Sequence, residues 1–137
     1  MAAGIFADTF WWIALGNPKD TWHARAIAWQ ASHSNAHFVT TEEILSEVLT
    51  WFAASGPAGR ALASAMVRDI LSDPTTQVLP QTSADFAAAL ALYESRPDKG
   101  YSLTDCRSML AMRGLGVSEV LTNDHHFTQE GFTVLFP

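Results

Sequence analysis

The most constraining feature is the alternation of short strand-like runs with longer helical stretches. Gly4 to Ala7 is a brief apolar run, and Phe38-Val39, Val78-Leu79, Val117 to Leu121 and Phe132 to Phe136 are further short runs rich in β-branched or aromatic residues. Between them, Thr21 to Ser34, Thr41 to Ala54, Pro57 to Leu71, Ser83 to Glu94 and Ser102 to Arg113 carry apolar residues at helical spacing. Turn signals such as Gly16-Asn17-Pro18, Ser72-Asp73-Pro74 and Gly114-Leu115-Gly116 separate the segments. Strands alternating with helices favour a parallel sheet joined by right-handed crossovers and covered by helices on both faces. The fold class is therefore α/β.

A length of 137 residues, without linker or repeat, predicts a single domain spanning 1–137. With 48% hydrophobic and 16% charged residues the chain is not disordered. One cysteine, Cys106, makes no internal disulfide, so a cytoplasmic setting is expected and a buried thiol is the expected role. No secretory signal and no apolar run of membrane-spanning length is visible, so no membrane association is expected. The net charge of −6 argues against a nucleic-acid binder held mainly by a basic surface. Acids gathered on a metal change that balance: with four of the 14 acids so placed, ten remain against eight cations.

In open parallel sheets ligands bind beyond the carboxyl ends of the strands, and acids stand at those ends here. Asp8 closes Ile5-Phe6-Ala7, Asp124 follows Val120-Leu121-Thr122, and Asp105 opens a helix after Ser102. Each serves equally well as a helix cap, and Ser102 with Asp105 has the spacing of a capping box. Glu47 differs, because it lies inside a helix beside the apolar stripe of Ile44, Leu45, Val48 and Phe52. A carboxylate bordering a buried face needs a cation or donors; a solvated helix flank is the alternative. Glu43, one turn earlier, competes with Glu47 for the same role. In a parallel sheet the four acids can converge. Such hard oxygen ligands, without His or Cys at zinc spacing, suit Mg²⁺ or Mn²⁺.

Taken in order, Phe6-Ala7-Asp8-Thr9, Ile44-Leu45-Ser46-Glu47-Val48-Leu49, Tyr101-Ser102-Leu103-Thr104-Asp105-Cys106 and Leu121-Thr122-Asn123-Asp124-His125-His126-Phe127 resemble the acidic motifs of PIN-domain nucleases. The chain is most similar to the VapC-type toxins of toxin–antitoxin pairs, over essentially its whole length. That resemblance implies a PIN-like three-layer α/β/α fold with a central, mainly parallel sheet of about five strands. It also implies a metal-dependent endoribonuclease with Asp8, Glu47, Asp105 and Asp124 as catalytic acids, of which Asp8, Asp105 and Asp124 are the expected metal ligands. Thr9 and Thr104, adjacent to two of the acids, are candidates for positioning a carboxylate or a water. An antitoxin partner and a homodimer are further expectations of the resemblance.

Few cations remain to hold RNA; Arg107 is the expected phosphate contact, with Lys99 and Arg96 nearby in sequence. The five tryptophans, Trp11, Trp12, Trp22, Trp29 and Trp51, suit core and interface packing better than base stacking. His125 and His126, beside Asp124, are of a type to serve as metal ligand or general acid, but neither has a partner at a diagnostic spacing, and both read as loop residues. Among rivals, a receiver-like phosphoacceptor lacks its late lysine, since the last one is Lys99, and a phosphatase with two aspartates two apart fails at Phe10. The stronger rival is a PIN-like module that binds RNA or protein without cutting.

Overall fold

A computed structural model describes residues 4–137. The strands are β1 (Ile5–Ala7), β2 (Phe38–Thr41), β3 (Thr76–Leu79), β4 (Glu119–Leu121) and β5 (Thr133–Val134). The helices are α1 (Thr9–Gly16), α2 (His23–Ser32), α3 (Glu42–Trp51), α4 (Gly56–Ser72), α5 (Ser83–Glu94), α6 (Leu103–Leu115) and α7 (His126–Gln129). The sheet runs β3-β2-β1-β4-β5 with every described pairing parallel. The expectation of a five-stranded parallel sheet is met.

Strand order and handedness together fix the layers. The chain moves outward from β1 to β2 to β3, then returns past β1 to lay down β4 and β5. Right-handed crossovers therefore put α1 to α4 on one face and α5, α6 and α7 on the other. Packing agrees: α1 touches α2, α3 and α4, whereas α5 and α6 pack on each other. The reversal falls between β1 and β4, where diverging loops leave a crevice at the carboxyl edge.

The strands at that crevice are buried on both faces, which explains their unbroken apolar character. Phe6, Ala7, Val120 and Leu121 are buried, with Trp11, Ile44, Val48, Met109 and Met112 packed over them from the helices. Trp11 and Trp12 are in this core, Trp22 and Trp29 pack at its margin, and Trp51 is 67% exposed. Cys106 is fully buried, as expected. Helix α6 ends at Gly116, whose φ of 67° is the left-handed cap conformation that favours glycine.

Candidate functional site

The first acid is placed by the end of β1. Asp8 is the N-cap residue of α1, but its side chain makes no capping bond. Its carboxylate is free for other partners although the residue is only 8% exposed. The Thr122 hydroxyl donates to Asp8 Oδ2 at 2.8 Å and accepts the backbone N–H of Asp124 at 3.1 Å. One buried hydroxyl thus ties the carboxyl end of β1 to that of β4. From the other side, Thr40 donates to the carbonyl of Ala7 and accepts the Trp12 indole N–H, fixing the backbone just before Asp8.

Glu47 reaches the same place from α3. That helix begins at Thr41, whose hydroxyl accepts the Ile44 N–H, and its apolar stripe of Ile44, Leu45 and Val48 sets its rotation. Glu47 is half-buried and accepts a hydrogen bond from the Thr9 hydroxyl. Glu43 does not share the site: its Oε2 takes Arg107 Nε at 2.9 Å. That ion pair engages Glu43, whereas Glu47 stands with Thr9 near Asp8.

Asp105 arrives as the third residue of α6, and the capping box expected from Ser102 is present in both directions. The cap uses Asp105 Oδ2 yet leaves the carboxyl group next to Asp124. Asp124 sits in the turn after β4, with its Oδ1 accepting the His126 N–H at 2.9 Å. His126 Nδ1 lies 3.2 Å from Asp124 Oδ1 and 3.7 Å from Asp105 Oδ2. Asp105, Asp124 and His126 form a group able to offer three ligand atoms within 4.8 Å of one another.

Electrostatics report the burial of these acids first and their crowding second. Burial pushes the Asp8 carboxyl up to about 7, against the lowering effect of the Thr122 and Thr9 hydrogen bonds; the Asp105 and Glu47 charges add to the rise. Burial likewise raises Asp105, with the Asp124 charge adding and the Ser102 hydrogen bonds and His126 opposing. A divalent cation relieves this repulsion directly. The donor set, several carboxylates plus the buried and unpartnered Nδ1 of His126, fits such an ion.

Asp8, Glu47, Asp105 and Asp124 are thus drawn to one edge, and Thr9 touches one of them. The Thr104 hydroxyl makes no hydrogen bond among the described residues. Arg107 corrects an expectation. It is 6% exposed, and its guanidinium is taken up by Glu43, Asp85 at 3.4 Å and the carbonyl of Pro80, so it ties helices together instead of meeting a phosphate. Two residues before it, Asp105 faces the acids because helical positions two apart point to different sides. Arg96 is bound to Glu130 and Lys99 lies beside Asp98. Thr122 was not foreseen, although a threonine closing an apolar strand two residues before an acid is a readable signal. His126 stands against the acids, whereas the sequence reads it as a loop residue.

No family model matches the chain. Two relatives from strains of Mycobacterium tuberculosis, each named 23S rRNA-specific endonuclease VapC20, are 31% identical over 134 residues, covering 97% of this chain and 98% of theirs. The crystal structure of Mycobacterium tuberculosis VapC20, described as a sarcin–ricin loop cleaving toxin, superposes with a TM-score of 0.82 at 28% identity. That match covers 98% of this chain and 100% of that one. With this likeness extending over nearly the whole length, the chain belongs to the VapC family of PIN-type, RNA-cleaving toxins.

Proposed function

We propose that this chain is a divalent-metal-dependent endoribonuclease, the toxin of a toxin–antitoxin pair, and that Asp8, Glu47, Asp105 and Asp124 carry its activity. The observation behind this reading is the gathering of acids at the β1–β4 crevice around Asp8, whose carboxyl burial pushes up to about 7 with the Asp105 and Glu47 charges adding to the rise. Burying a carboxyl beside other acids works against stability, so the arrangement points to function.

Asp8, Asp105 and Asp124 would hold the ion, Mg²⁺ or Mn²⁺. When bound, it lowers the pKa of a coordinated water and stabilises negative charge at the attacked phosphate. The chain supplies the geometry. Thr122 fixes the Asp8 carboxylate and, through the Asp124 backbone, the spacing of two ligands. Glu47, steered by the Thr9 hydroxyl, orients the attacking water and accepts its proton. Binding energy comes from few phosphate contacts, since Arg96, Arg107 and Arg113 are committed to internal carboxylates. Substrate recognition therefore rests on shape more than on a basic surface, with a shallow salt dependence.

The relatives' target class, 23S rRNA, is the substrate we propose here too, with a structured loop as the cleaved element. The partners are an antitoxin protein and a second copy of the chain. Among the described residues no helix is long and apolar enough to cross a membrane, and the cytoplasm is the proposed compartment.

The test incubates 23S rRNA, and a fragment bearing its sarcin–ricin loop, with wild type and Asp105→Asn, in Mg²⁺, in Mn²⁺ and in chelator. Discrete cleavage in metal by wild type alone supports the reading. Equal cleavage by the variant, or cleavage that survives chelator, refutes it.

A further inference from the structure

His126 is the polar group that the four-acid account leaves unused. Its Nδ1 is buried and makes no hydrogen bond, although carboxylate oxygens stand 3.2 and 3.7 Å away. The nearer one, Asp124 Oδ1, already accepts the His126 backbone N–H. The nitrogen is close to both acids without the alignment of a hydrogen bond to either. Adjacent ligands of an octahedral ion held about 2.1 Å from each of them stand roughly 3 Å apart, which is close to this spacing.

The imidazole is also seated. A Cβ on Gly100 would lie 3.3 Å from His126 Nε2 and 3.4 Å from Cε1, so the glycine leaves room for the ring. The Tyr101 ring meets it edge-on at 5.4 Å. Tyr101 is in turn anchored by its hydroxyl, which donates to Glu130 at 2.8 Å, and Glu130 is gripped by Arg96 and Arg113. His125, its neighbour, is exposed.

We propose that His126 Nδ1 is a nitrogen ligand of the divalent ion shared by Asp105 and Asp124, and that it biases the site toward Mn²⁺ over Mg²⁺. Imidazole is a ligand for transition metals, whereas Mg²⁺ is served by oxygen, so a mixed donor set shifts the preference. The inference rests on the proposed metal-dependent reading of the acids, but its readout is the ion's coordination and not RNA cleavage.

The experiment is pulsed electron paramagnetic resonance on the Mn²⁺-loaded full chain, which detects directly bound ¹⁴N as a modulation of the Mn²⁺ echo. Wild type and His125→Ala should show it, and His126→Phe, which keeps a ring without nitrogen, should not. The Phe variant should also bind Mn²⁺ at least about tenfold more weakly while Mg²⁺ competition changes little. His126→Ala serves as a second variant. No nitrogen modulation in wild type, modulation that persists in both His126 variants, or failure of Mn²⁺ to bind overturns the proposal. Nitrogen coordination in a protein that cuts no RNA would instead overturn the proposed function and leave this ligand standing.

Discussion

Replacing Asp8 by asparagine should make the metal-free protein more stable at pH 8, although the same change removes a proposed ligand. Burial holds the Asp8 carboxyl at about 7 against an ordinary value of 3.8. At 1.36 kcal/mol per pKa unit this corresponds to at most about 4 kcal/mol of cost to carrying the charge. The sign follows from proton counting. Between about pH 4 and 7 the folded chain retains a proton that the unfolded chain has lost, so stability is greatest at low pH and falls as pH rises through this window. Of the total, roughly 2–3 kcal/mol is lost between pH 5 and 8. The substituted amide would stay neutral throughout and would still offer an oxygen to the Thr122 hydroxyl. Ionisable groups distant from Asp8 contribute equally to both proteins and cancel in the difference, while the Asp105 and Glu47 charges that repel Asp8 belong to the effect being measured. Urea unfolding in chelator, followed by tryptophan fluorescence, gives that difference at the two pH values. The variant should gain roughly 2–3 kcal/mol on wild type from pH 5 to pH 8. A difference that stays constant within about 0.5 kcal/mol would refute the claim that Asp8 is buried at the cost of its charge.

Three further outcomes follow from the geometry. Thr122→Val deletes the hydroxyl between Asp8 and Asp124, so RNA cleavage should fall roughly ten- to hundredfold with a stability loss of about 1–2 kcal/mol; an unchanged rate would show that the clamp is dispensable. Arg107→Met strands Glu43 and should cost about 1–3 kcal/mol in urea unfolding, most of it recovered in the Glu43→Gln, Arg107→Met double variant; no recovery would mean that Arg107 acts elsewhere. Glu130, held at about 2 chiefly by the Arg96 hydrogen bond, contributes stability that is present above about 4.5 and lost as pH falls toward 2. Glu130→Gln should therefore flatten the acid limb of the stability profile, and an unaltered limb would place the acid-sensitive group elsewhere.

The fold was legible because the inner strands β1, β2 and β4 carry buried apolar residues. Val120 and Leu121 are fully buried although Ser118 and Glu119 before them are exposed, and the capping box at Ser102 marks the start of α6 to the residue. The four acids were legible for a related reason: an acid at the end of a central strand, as at Asp8, belongs to the sheet's carboxyl edge wherever the sheet is parallel. Arg107 was misread because sequence adjacency to Asp105 says nothing of helical phase; two residues on, the side chain turns toward α3 and finds Glu43. Thr122 goes unread, and His126 is set aside as a loop residue, for the opposite reason. Their importance lies in contacts across the chain, with Asp8 114 positions away in one case and with the loop at Gly100 and Tyr101 in the other. Periodicity carries no information at that range.

The central claim is that these acids act through a divalent ion on RNA. Its most direct test is the single-turnover cleavage rate of one structured 23S rRNA fragment by wild type and Asp8→Asn, purified in parallel and titrated with Mg²⁺ and Mn²⁺ from a chelated start. The account predicts a rate that rises from zero with metal in wild type and lies orders of magnitude lower in the variant at every concentration. Matching curves for the two proteins, or cleavage by wild type before any metal is added, would contradict it.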